Sequence, residues 1–284
     1  RDDDVQTWPD TKGETSWMKR FVSYMSQHGH LQDLAFVSFE HYPFAGCEAN
    51  WSVLFGESQH IEKIMKFWSQ YSVPVLITEY NFSSDYSQAS LDMLGAVWQA
   101  DFLGTFLTSG GAGAYYYGYD TLPLEQQNGC WGGFYMFTLD NNGQIKARTA
   151  QFYAAQLINL EWAQPVDAIH DVYPATSDIL DNDGNRLVTA YTLHRPDGQW
   201  SLLIINRDPQ QAHKTTIRFK TTQAGFTRPV SLTCFNQENY RWHPNGPDGY
   251  ADPNFAPVSQ TIQSQSDTVF TLPKGSICIL KGSH

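Results

Sequence analysis

Two stretches of the chain, LAFVSFEHYPF at residues 34–44 and PVLITEYNF at residues 74–82, share one pattern: an apolar run that turns polar at its carboxyl end. Apolar runs of this length without period-two alternation read as strands covered on both faces, as in a parallel sheet. The stretch between them, ESQHIEKIMKFWSQY, sets Ile61, Ile64, Met65, Phe67, Trp68 and Tyr71 on one broad helical face. Parallel strands need a crossover of this kind, so the unit is strand, helix, strand. It also raises a question about Glu79, because a bare carboxylate closing a buried strand is costly unless it is paired or useful.

The same reading extends in both directions. Residues 1–14 have charge, Pro and Gly but no period and read as a loop, followed by a helix over 15–29 with Thr15 or Ser16 as N-cap and Gly29 as its stop. A further helix is expected from about Ser90 to Ser109, then a third strand in GAGAYYYGYD, then a turn in LDNNGQ and a last helix from Ala147 to Trp162. From Val166 the pattern changes to short alternating strands, with hairpin turns at DNDG (181–184) and PDG (196–198). A calcium-loop reading of DNDGN lacks the spacing to a terminal Glu. The fold class expected is therefore α/β plus all-β: residues 1–163 form strand–helix units and residues 164–284 a β-sandwich.

Charge narrows the partners. With 29 acidic against 18 basic residues and a formal net charge of -11, the chain lacks the basic surface that nucleic acid or an anionic membrane requires. No apolar run is long enough to span a bilayer. No GxGxxG, GxxxxGK[ST] or GxSxG occurs, which counts against nucleotide binding and serine hydrolysis. Cys47, Cys130, Cys234 and Cys278 lack metal-binding spacing, so no metal or cofactor is expected, and any disulfides should form within each half of the chain. The 9 Trp, 15 Tyr and 17 Phe lean towards carbohydrate, since aromatic faces stack on the C–H faces of sugars.

Alternating strands and helices fit either a doubly wound sheet or a (β/α)8 barrel, and the missing phosphate-binding glycines favour the barrel. Barrel sites are built at the carboxyl ends of strands. Those ends here hold Glu40, His41 and Tyr42, then Glu79, Tyr80 and Asn81, then Tyr117, Tyr119 and Asp120.

On these residues the chain resembles the C-terminal part of a retaining glycoside hydrolase of clan A. VLITEYN resembles barrel strand seven, FVSFEHYPF strand six and GAYYYGYD strand eight, and a β-sandwich containing WSLLIINRD after the last helix is similar to glycoside hydrolase family 39 and its relatives in families 30 and 51. The resemblance implies strands six to eight of a (β/α)8 TIM barrel followed by a β-sandwich, with Glu79 as nucleophile of a double displacement on a β-linked oligosaccharide or polysaccharide, xylosidase-like or related. It places the general acid/base in an Asn-Glu pair closing strand four, and no such dipeptide occurs here. The expected partner is thus the N-terminal barrel half, as a separate chain or a cleaved fragment. A self-contained alternative pairs Glu79 with Glu40.

His41 and Tyr42 are assigned to the sugar-binding rim or to hydrogen bonds that keep Glu79 ionised, with Tyr80 and Asn81 also in reach to orient it; a satisfied core histidine is the other reading of His41. Tyr117, Tyr119 and Trp131 are expected to stack on the sugar or close the pocket, and Asp120 to bond a hydroxyl or cap a loop. The resemblance implies a secreted or periplasmic protein. A different class is also compatible with the sequence: a non-catalytic carbohydrate-binding or scaffolding module in which the sandwich alone binds sugar.

Overall fold

The computed structural model describes residues 16–284 other than 46, 48, 120, 141, 223, 227, 228 and 264–266. The expected loop at 1–14 and Asp120 lie outside the described residues.

Helix α1 (Trp17–Gln27) starts at Ser16, whose side chain accepts from the Lys19 N–H at 3.3 Å, and the chain leaves it through Gly29 at φ +74°. A positive φ there suits glycine. The elements that follow are β1 (Val37–His41), α2 (Leu54–Trp68), β2 (Val75–Tyr80), α3 (Met93–Thr108) and β3 (Gly113–Tyr116). The three strands form one parallel sheet in the order β1-β2-β3, each neighbour reached through a helix, which is the connectivity of consecutive barrel strands.

The sheet differs from the sequence expectation in one respect. Its strands are not covered on both faces. Val37, His41, Val75, Ile77, Tyr80 and Tyr116 are buried on the helix side, whereas Ser38, Glu40, Thr78 and Tyr115 are exposed on the other. Residues of alternate parity point to opposite faces of a strand, so each strand divides its side chains between a core and an open surface.

Two short hairpins follow, β4 (Glu125–Gln127) with β5 (Cys130–Gly132) and β6 (Phe137–Leu139) with β7 (Ile145–Arg148). The second takes the place where the last helix was expected to begin. Asp140 explains it: its carboxylate accepts the N–H groups of Asn142 and Gln144 at 2.8 and 2.9 Å and closes the turn. Helix α4 (Ala150–Gln156) then runs on through a π-helical segment, Leu157–Trp162.

The rest is antiparallel. Strands β8 (Asp171–Tyr173), β9 (Val188–His194) and β10 (Trp200–Asn206) are followed by β11 (His213–Ile217), β12 (Val230–Phe235), β13 (Tyr240–His243), β14 (Tyr250–Asn254), β15 (Val258–Ile262), β16 (Thr268–Leu272) and β17 (Ser276–Gly282). Six of them form a sheet in the order β15-β12-β17-β10-β9-β8, and β11 pairs with β16 in a second layer.

Period-two alternation along β10 sends Leu202 and Ile204 towards that second layer, where they join Phe270 and Leu272. Leu203 and Ile205 face the other way and join the cluster that contains Ile77, Trp98 and Phe102. One core therefore continues from the parallel sheet, through α3, into the sandwich. Residues 93–106 of α3 are all buried, which explains why that helix has no polar face.

At this junction Asp101 and Arg207 are 1% and 2% exposed and lie 3.2 Å apart. Asp101 also accepts from Ser58 and Tyr191, both at 2.7 Å, and from Thr189. Arg207 donates to the carbonyls of Leu54 and Arg186. The disulfides are Cys47–Cys130 and Cys234–Cys278, each within its own half of the chain.

Candidate active site

Glu79 and Glu40 are register partners in adjacent parallel strands, with Thr78 forming an irregularity just before them. That extra residue keeps Ile77 and Tyr80 in the core while turning Glu79 to the open face. Glu79 is half-buried there, and the Tyr42 hydroxyl donates to its Oε2 at 2.8 Å. Burial pushes the Tyr42 phenol far above its ordinary range, reinforced by the hydrogen bond to Glu79 and by the Glu79 charge, then by Tyr117 and Glu40. Tyr42 is a neutral donor at any physiological pH.

Aromatic rings extend this pair into a wall. Tyr117 lies edge-on to Tyr42 at 6.1 Å, Phe134 is 5.7 Å from Tyr117, and Tyr86 is 5.0 Å from Phe134. The Tyr86 hydroxyl donates to Glu125 at 2.9 Å. Asn81, fully buried, fixes the wall from behind: its amide donates to the carbonyls of Tyr117 and Phe134, and its Oδ1 accepts from Phe82 N–H and Gln151. Gly118 is needed for this approach, since at φ +102° a Cβ would lie 2.0 Å from the Phe134 carbonyl oxygen.

Of the residues singled out in the sequence, Glu79, Tyr42 and Tyr117 come together. His41 does not. It lies on the opposite face of β1, stacked on Phe102 at 4.7 Å and hydrogen-bonded to buried Glu57, which also accepts from Trp98. The core-histidine reading holds, because His41 directly follows Glu40 and strand parity sends neighbouring residues to opposite faces. Tyr80 is likewise turned into the core, where Gln99 donates to its hydroxyl, and Asn81 holds the wall and not the carboxylate. Tyr119 is exposed and packs edge-on against buried Tyr116 at 5.7 Å. Trp131 is half-buried against the core, and a Cβ on Gly246 would lie 3.8 Å from its ring, so it joins the β4–β5 hairpin to the sandwich.

Sequence reasoning missed Phe134, Tyr86 and Glu125. Phe134 follows a Gly-Gly pair and Tyr86 sits in a Ser-rich loop, so neither has a period that would mark it. Among the described residues no group of three or more His, Cys, Asp and Glu could hold a metal ion, and no helix is long and apolar enough to cross a membrane. Chemically, the arrangement offers a carboxylate held by a neutral phenol, a second carboxylate on the next strand, and aromatic surface beside them.

No family model and no curated protein matches the sequence. The fold has solved counterparts. A family 44 xyloglucanase of Paenibacillus polymyxa matches with a TM-score of 0.60 at 10% identity over 96% of this chain and 52% of its own. A family 44 endoglucanase of Clostridium thermocellum gives 0.59 at 13% identity over 95% and 52%. A family 51 arabinofuranosidase of Xanthomonas axonopodis pv. citri gives 0.58 at 13% identity over 91% and 55%. The fold is thus one shared with glycoside hydrolases that join a barrel to a sandwich, and the chain spans about half the length of these structures. Family 51 is among the relatives the sequence pointed to, whereas family 44 is an addition.

Proposed function

We propose that this chain carries the nucleophile of a retaining β-glycosidase or glycanase of clan A. The observation that supports this most is the 2.8 Å hydrogen bond from Tyr42 to Glu79 at the carboxyl ends of two adjacent parallel strands, on the open face of the sheet. Glu79, ionised, attacks the anomeric carbon while a protonated carboxyl donates to the departing oxygen. The resulting glycosyl ester is hydrolysed by water from which the same second carboxylate removes a proton, and Glu79 is released. Tyr42 holds the reacting carboxylate in place, and Tyr117 with Phe134 offers the stacking surface for a sugar.

In this reading the acid/base comes from an N-terminal barrel half, as a separate chain or a cleaved fragment, that covers the open face bearing Glu40, Glu79 and Tyr115. The substrate is a β-linked oligosaccharide or polysaccharide, with a xylosidase-like preference suggested by the family 39 resemblance. Two disulfides support a secreted or periplasmic setting.

A second reading rests on register: Glu40 is the partner of Glu79, on strands about 4.8 Å apart, and retaining carboxyl pairs stand roughly 5–5.5 Å apart. Glu40 would then be the acid/base. Labelling the assembled enzyme with 2-deoxy-2-fluoro glycosyl fluorides and mapping its peptides by mass tests both. The expected result is one glycosyl unit on the peptide containing Glu79, with turnover lost and sugar binding kept in Glu79→Gln. A label on another carboxylate overturns the nucleophile assignment. Normal turnover in Glu40→Gln removes the second reading. Sugar binding with no hydrolysis by any assembly containing Glu79 would favour a non-catalytic binding module.

A further inference from the structure

A cavity of about 770 Å³ opens between α2, the end of α3 and the β8–β9 edge of the sandwich, and no residue of the Glu79 cluster lines it. Its volume falls within the roughly 300–1,000 Å³ of small-ligand sites. Phe55, Gln59 and Glu62 of α2 form one side, and Tyr173, Thr176 and Arg186 the other.

The walls are held in place. The Arg207 guanidinium, itself fixed by Asp101 and by two carbonyls, lies 5.4 Å over the Phe55 ring. Opposite, Tyr173 is 43% exposed yet rests on Trp200 with ring centroids 4.7 Å apart, so one face is anchored while surface remains open. Between them stand groups without charged partners: among the described residues, neither Glu62 nor the Arg186 side chain makes an ion pair, and both are exposed. The lining holds Glu62, Arg186 and Arg207, and the Arg207 charge is already matched by buried Asp101 behind the wall, so Glu62 against Arg186 leaves little unbalanced charge, which disfavours a strongly ionic ligand. Hydroxyls, an amide, acceptors and donors on both walls, with two rings, suit a neutral polyol that hydrogen-bonds at its rim and stacks at its face.

We infer that this interdomain cavity is a non-catalytic binding site for a neutral oligosaccharide, separate from the Glu79 cluster. Tyr173 and Phe55 supply stacking surfaces, and Glu62, Gln59, Thr176 and Arg186 bond ring hydroxyls. The site stands on its own residues and does not require the hydrolytic reading.

The test is titration calorimetry of the full chain as Glu79→Gln, which prevents turnover, with xylohexaose and with cellohexaose, repeated with soluble xyloglucan in affinity electrophoresis. Adding Tyr173→Ala, or Glu62→Gln with Arg186→Gln, is expected to weaken binding at least tenfold with the melting temperature kept, because these side chains are exposed. Adding Tyr117→Ala at the Glu79 cluster is expected to leave this binding intact. Absence of binding to all three probes, or loss with Tyr117→Ala but not with Tyr173→Ala, overturns the inference. Loss of binding with Tyr173→Ala, when the enzyme with Glu79 intact never takes a glycosyl label there, would uphold it while the hydrolytic reading fails.

Discussion

The phenol of Tyr42, just past the end of β1, donates to the carboxylate of Glu79 near the end of β2 at 2.8 Å, so the two are linked across a strand boundary and not within one strand. The donated hydrogen bond fixes the direction of the carboxylate. Tyr42→Phe keeps the ring against Tyr117 and removes only the hydrogen bond. A bond to a charged group is worth about 1.5–3 kcal/mol, and partial exposure of Glu79 places the effect towards the lower part of that range. In the assembled enzyme, turnover should fall roughly tenfold or somewhat more, with sugar affinity nearly unchanged. Steady-state kinetics on a chromogenic glycoside check this, and an unaltered kcat would break the link between the phenol and catalysis.

Several tyrosines are buried deeply enough to make stability fall in alkali. Burial pushes the phenols of Tyr80, Tyr116, Tyr191 and Tyr240 above their ordinary range, as it does for Tyr42. The folded state thus holds these protons after the unfolded chain has begun to release them near pH 10. Where the unfolded state binds fewer protons, stability decreases as pH rises. The contribution is intact below about pH 10 and is lost progressively above it. Urea denaturation at pH 8 and pH 11 should show a lower midpoint at pH 11, and equal midpoints would contradict the linkage.

How much of this was legible in the sequence depended on whether a residue obeyed a local period. Helices α1 to α3 and the sandwich strands did, whereas the parallel strands were legible as apolar runs that turn polar at their carboxyl ends, where Glu79 and Tyr42 stand. The parity of His41 was open to the same rule, but its partner Glu57, sixteen residues on, is a tertiary contact that no local pattern announces. The turn in LDNNGQ was legible from its Asn-Gly pair, but the strands it joins, β6 and β7, are too short to show a period. Phe134 reaches the site through a loop fixed by Asn81 and Gly118, and Tyr86 through one held by Gln127 and Glu125, which is three-dimensional information. The open face of the sheet was hidden for a related reason: apolar content alone does not say on which side a strand is covered.

Asp101 and Arg207 make the junction between helices and sandwich depend on one charge pair. Both are buried, and Asp101 also accepts from Ser58, Thr189 and Tyr191. Asp101→Ala leaves the guanidinium buried without its counterion and strands three donors. Breaking a buried pair in this way costs about 3–5 kcal/mol. The expected outcome is a large loss in the urea midpoint with the same loss in Arg207→Ala, and a double variant no worse than about either single one. Additive losses would mean that the two side chains act independently.

The shared core bears on whether the sandwich can function alone. Tyr191, Leu203, Ile205, Phe235, Ile277 and Ile279 are at most 9% exposed and belong to the cluster that includes Trp98 and Phe102 of α3. A fragment of residues 164–284 would present that face of the six-stranded sheet to water. Burial of each large apolar side chain is worth about 1.5–3 kcal/mol, while a whole domain is stable by only about 5–15 kcal/mol. Losing several of these contacts is thus enough to cancel the stability of the fragment, even with Cys234–Cys278 intact. The isolated fragment should bind a hydrophobic dye, aggregate and lack a cooperative thermal transition. A fragment that melts sharply and stays monomeric would show that the second core, around Leu202, Ile204 and Phe270, suffices to hold the sandwich, and would make a sugar-binding role for the sandwich alone physically tenable.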